Sequence, residues 1–148
     1  MVEVTAKYVN IKGKRGSDYF IYTDVEVIGH ATNTGYDTNI KVCAGISAVT
    51  YGIARLLNQM QYNVEYRKGY YHLWTNIRHD MKSSLDRDSV YAVNTMVCQL
   101  YEIYKNYPNA FAKFDLIDTK ELIEDEEKSS QPNKPFRRRN KMGFTSLT

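Results

Sequence analysis

The sequence predicts an α+β protein. It reads as a two-layer sandwich in which an antiparallel sheet of two hairpins carries two helices on one face, in the order ββαββα. Three observations predict it. Two pairs of short stretches with period-two alternation are each joined by a segment containing Gly. Each pair is followed by a longer stretch with apolar residues at three- and four-residue steps. The aromatic residues are thirteen Tyr against five Phe and one Trp, a choice that suits half-buried sheet faces and contact surfaces.

Residues 2–9 alternate Val2, Val4, Ala6 and Tyr8 with Glu3, Thr5 and Lys7, the pattern of a strand with one wet face. KGKRGSD at 12–18 supplies a turn with two Gly. YFIYTDVEVI at 19–28 is the second strand, with Val25 and Val27 on one side and Asp24 and Glu26 on the other. The closeness of the two strands favours a hairpin. Residues 30–41 have no period and are rich in Asn, Thr, Gly and Asp, so they read as loop. A helix is expected from Val42 to Met60, where Ile46, Val49, Ile53, Leu56, Leu57 and Met60 fall at helical steps. Residues 62–67 and 70–77 form a second hairpin around Gly69. A second helix is expected over 84–106, with Val90, Val93, Val97, Leu100 and Tyr104 as its stripe. Asp86 and Asp88 sit near its positive end and Pro108 just past its close.

Composition sets limits on function. A chain of 148 residues can build one core without disulfide or metal. The net charge of +3 is weak for a nucleic-acid binder. No apolar run approaches the roughly eighteen residues of a membrane span, and the charged, alternating N-terminus does not resemble a signal peptide. The expected location is the cytoplasm, with Cys43 and Cys98 as free thiols. The two Cys and three His show no paired ligand spacing, so neither metal nor cofactor is expected. The character changes past Phe114. DTKELIEDEEK at 118–128 carries six acids and two bases, and KPFRRRNK at 134–141 carries five bases and no acid. The expected division is a domain at 1–112 and a charged, mobile extension at 113–148. The basic block is either a solvated tail or a contact for RNA, the latter weakly supported by a charge run alone.

The chemistry concentrates at 29–48, GHATNTGYDTNIKVCAGISA. Cys43 is expected in the first turn of the first helix, where free N–H groups and the dipole favour thiolate. His30 closes the second strand across the loop and can act as its general base. The N–H groups of Cys43 and Ala44 are candidates for an oxyanion hole. The competing reading is bland: a Cys beside Val and Ala is a small core residue, and a His in a polar loop is surface. Cys98, in TMVCQL, reads as packing. His72 lies within a strand and His79 in a charged turn, and neither has a Cys nearby in sequence.

Gly29-His30-Ala31, a Gly-containing loop and Val42-Cys43-Ala44-Gly45-Ile46-Ser47-Ala48 resemble the signature of the ribosomal-processing cysteine protease family, Prp. The resemblance extends over residues 1–107 in length and element order. It implies a cysteine endopeptidase that removes a short N-terminal extension, ending in an apolar stretch with paired Phe, from a large-subunit ribosomal protein. Phage capsid or scaffold precursors with a similar N-terminal segment are the other implied substrates. It makes Cys43 the nucleophile and His30 the general base, with Ser47 supporting the site through hydrogen bonds. Gly29 permits close approach at the strand end. Residues 31–41, with Gly35, Asp37 and Asn39, become a substrate loop that is mobile when empty. A homodimer is also implied. The family's Asp before Val-Cys is replaced, since the run here is Asn39-Ile40-Lys41-Val42-Cys43, and Asp37 stands two residues earlier. The alternative function is a non-catalytic module bound to the ribosome or RNA through its sheet face and basic block.

Overall fold

The computed structural model describes residues 1–13, 17–75 and 85–124. The period-two stretches become strands β1 (Val2–Lys12), β2 (Tyr19–Ile28), β3 (Tyr62–Arg67) and β4 (Tyr70–Thr75), and the apolar-striped stretches become helices α1 (Tyr36–Ala54) and α2 (Arg87–Asn106). A last strand, β5 (Phe111–Glu124), follows a short helical turn at Pro108–Ala110. The sheet runs β3-β4-β2-β1-β5. Both hairpins are antiparallel, and β2 joins them by pairing antiparallel with β4.

One row of side chains crosses all five strands. Tyr66, Tyr71, Val27, Val4 and Phe114 are successive register partners, so they share a face. Tyr51 of α1 packs on Tyr66 with ring centroids 4.7 Å apart. Tyr104 of α2 stacks on Phe114 at 5.1 Å. Both helices therefore lie on that face, as the α+β reading expects. The core between the layers includes Val4, Val25 and Leu73 from the sheet and Val42, Met96 and Leu100 from the helices. Each such side chain contributes about 1.5–3 kcal/mol by leaving water. Asp86 caps α2 by accepting from the Ser89 N–H at 3.2 Å.

Three features depart from the sequence reading. First, α1 begins at Tyr36 rather than Val42 and ends at Ala54 rather than Met60. Its first turns overhang the core: Tyr36 is 79% exposed and Ile40 50%. An apolar stripe marks the buried part of a helix and is silent about an overhang. Second, the sheet is mixed, because β5 runs parallel to β1. A parallel partner far away in sequence leaves no hairpin signal. Third, β5 carries the sheet to Glu124, so the boundary expected at residue 112 falls inside a strand. Phe111 and Ile123 are buried, and Asn10 Nδ2 donates to Asp118 Oδ1 at 2.9 Å. The basic block at 134–141 lies outside the described residues.

Replacing Leu100, which has no exposed surface, with Ala should cost about 2–5 kcal/mol in urea unfolding. Leu122→Ala, at a site 61% exposed, should change stability by less than about 0.5 kcal/mol. Equal costs would contradict this packing.

Candidate active site

The site starts from strand register. Ile28 pairs with Tyr70, so the next residue of β2's chain meets the two-residue turn of the β3–β4 hairpin. The Gly29 N–H donates to the Gly69 carbonyl at 2.9 Å. Gly29 has φ +95 and lies so close to the Met1 carbonyl that a Cβ there would meet its oxygen at 2.3 Å, which no side chain can satisfy. The chain therefore turns sharply out of β2, and His30 is exposed at the turn.

The chain then crosses to α1 in a few residues. The Ala31 N–H donates to Cys43 Sγ at 3.3 Å, which ties the far side of the β2 turn to the helix. The Thr34 N–H donates to Asn39 Oδ1 at 3.3 Å, and the Thr34 hydroxyl donates to the same oxygen. Gly35 is the N-cap residue of α1, Asp37 lies in its first turn, and the Asn39 N–H returns to the Gly35 carbonyl at 2.9 Å. The expected loop of 31–41 is thus shorter, and its last residues are helical.

This moves the thiol. Cys43 sits about two turns inside α1 and not at its start. The terminal dipole fades within the first turn, and N–H groups this deep in a helix are committed to carbonyls one turn back. The expected activation of Cys43 by a helix start, and the expected oxyanion hole from the N–H groups of Cys43 and Ala44, do not survive. The group aimed at Sγ is instead the Ala31 N–H.

A cavity of about 720 Å³ opens over these groups, and Gly29, His30, Asn39, Cys43, Ala44 and Ser47 all line it. Gly35 and Asp37 do not. Asn39 lines it but spends its side-chain oxygen on Thr34, so it closes the loop. Cys43 is half-buried and within reach of a ligand in the cavity. Sequence reasoning missed the opposite wall, which is Arg67, Lys68, Gly69, Tyr70 and Tyr71 together with Tyr51 of α1. The only local signal was Gly69 as a turn residue; the register that brings the turn here is not local. The Arg67 guanidinium lies 4.1 Å from the Tyr70 ring centroid and pairs with Glu65 at 3.1 Å. Burial raises the pKa of the Tyr71 phenol above its ordinary value, so this phenol stays neutral beside the cationic Arg67 and Lys68.

Among the described residues, the other His and Cys lie elsewhere. His72 Nε2 is 3.1 Å from both oxygens of Asp24, and its strand neighbours Tyr71 and Leu73 are the ones that face the helices. His79 lies outside the described residues. Cys98 is exposed on α2, not packed as the sequence suggested. Its neighbour Val97 takes the buried position.

The family model of the cysteine protease Prp matches residues 8–112. The chain belongs to the Prp family of cysteine proteases. Two crystal structures of the essential ribosomal processing protease Prp from S. aureus share its fold. The complex with a substrate peptide is 21% identical, with a TM-score of 0.52, and the match covers 76% of this chain and 98% of that one. The complex with a covalently linked product peptide is 24% identical, with a TM-score of 0.50, over 77% and 99%. No curated protein sequence matches the chain. The family match ends at residue 112, so most of β5 lies beyond it.

If Asn39 holds the loop, Asn39→Ala should speed hydrogen exchange of the Thr34 amide about fivefold, the equivalent of roughly 1 kcal/mol. The Tyr107 amide, bonded to the Ile103 carbonyl at the far end of α2, should exchange as before. An unchanged Thr34 rate would show that the side chain does not restrain the loop.

Proposed function

We propose that this Prp-family cysteine protease is an endopeptidase that removes a short N-terminal extension from the precursor of a large-subunit ribosomal protein. Cys43 is the nucleophile and His30 the general base. The observation that carries the reading is the shared cavity: His30 and Cys43 both line it, and the Ala31 N–H is aimed at the sulfur. The thiol proton passes to His30 as Sγ attacks the scissile carbonyl. His30 then gives the proton to the leaving amine. Water, deprotonated by His30, hydrolyses the thioester and frees Cys43.

The cavity supports a peptide ligand with apolar side chains. Its volume lies in the range of ordinary ligand sites. Tyr36 and Ile40 stand exposed on one wall, with Tyr51, Tyr70 and Tyr71 on the others. These surfaces suit the paired Phe of the extension, whether borne by a ribosomal precursor or by a phage structural precursor with the same segment. Ser47, one helical turn beyond Cys43 and half-buried on the cavity, supports the site from within α1. The enzyme acts in the cytoplasm as a homodimer, whose mass in light scattering should stay at twice that of one chain on dilution. Among the described residues no helix is long and apolar enough to cross a membrane.

The test is cleavage of a peptide containing Asn-Leu-Gln-Phe-Phe. The native protein should cut it, Cys43→Ala should not, and His30→Ala should be slower by about a hundredfold or more. Cleavage by Cys43→Ala would refute the assignment.

A further inference from the structure

We propose that Gly69, in the β3–β4 turn, is the positioning residue that orients the His30 imidazole. The inference rests on His30 being the general base. A methyl group built on Gly69 would lie 2.7 Å from His30 Nε2, 3.2 Å from Cε1 and 3.4 Å from Cδ2. The ring thus rests its outer edge on the bare Cα of the turn, with Nδ1 on the edge turned away. The backbone at Gly69 has φ +74, a conformation few other residues adopt. Gly69 is also held to the catalytic strand end, because its carbonyl accepts from the Gly29 N–H at 2.9 Å. The turn and the histidine therefore move as one body.

A catalytic His is commonly aligned by the side chain of a third residue. Among the described residues none hydrogen-bonds the His30 ring. Asn39 is spent on Thr34, and Asp37 does not line the cavity. Contact with the Gly69 backbone takes over that alignment. A ring held by shape and not by a carboxylate loses its position if a single methyl is added beneath it.

The test uses the full chain with Cys98→Ser, so that iodoacetamide reports Cys43 alone, and follows the alkylation rate against pH. Gly69→Ala should shift the profile onto that of His30→Ala, and should change nothing further when combined with His30→Ala. On the Asn-Leu-Gln-Phe-Phe peptide, kcat should fall by about tenfold or more with KM within about twofold. Gly69→Ala with a native profile and native kcat would overturn the proposal. So would a loss of alkylation equally large with and without His30, which would mean general distortion of the site. If Gly69→Ala does not fold, Gly69→Asn is read in its place, since Asn tolerates the backbone angle yet still carries a Cβ. Independently of any variant, the native protein should show a nuclear Overhauser contact between His30 Hε1 and the Gly69 α-protons, and its absence would also overturn the proposal. The two levels separate. A native alkylation profile in His30→Ala would sink the general-base assignment, whereas a native profile in Gly69→Ala alone would sink only the role of the turn.

Discussion

The antiparallel pairing of β2 with β4 is the constraint on which the rest of this structure hangs. It joins two hairpins into one sheet, and its register decides what lies at each end. With Ile28 opposite Tyr70, the hairpin turn falls beside Gly29 and His30. A slip of one residue would turn β4 over. Tyr71 and Leu73, now buried under the helices, would face outward, and His72 and Trp74 would enter the core. The cost of that exchange fixes the register, so the position of the candidate site is a consequence of core packing.

The thiol is placed by a second closure. The sharp exit from β2, set by Gly29, sends Ala31 back toward α1, where its N–H meets Cys43. Ala31 is buried, as is Val42 beside the cysteine, so both sides of this contact are anchored in the core. Reactive sulfur is commonly found where a helix begins. Here the helix starts well before Cys43, and the backbone N–H that reaches its sulfur comes from the strand side of the crossing. The site is thus assembled from backbone geometry more than from side-chain charge, with Gly29, Ala31 and Gly69 all contributing main chain.

Much of this was legible in the sequence, for identifiable reasons. Alternation in 19–28 and 62–67 gave those strands with the bounds that the structure shows, because Val25 and Val27 in the first and Tyr62 and Val64 in the second turn toward the core. His30 and Cys43 could be singled out because few residue types carry such chemistry and because their flanking motifs resemble a known family. The start of α1 was not legible, since Tyr36 and Ile40 have no core to face. Gly35 before it and Asp37 in its first turn are signals of a helix N-terminus, but the same residue types also make up loops. β5 was hidden because Asp115, Asp118 and Lys120 interrupt its apolar residues and its partner β1 lies at the other end of the chain. The cavity wall at 67–71 is a product of register, which no local pattern encodes.

The measurement that tests the central claim most directly is covalent trapping. A peptidyl chloromethyl ketone ending in Phe would be incubated with the native protein and the site of attachment read by mass spectrometry. The account predicts one adduct, on Cys43, formed far more slowly when His30 is replaced by Ala. An adduct on the exposed Cys98 at a comparable rate, or a rate on Cys43 indifferent to His30, would contradict it.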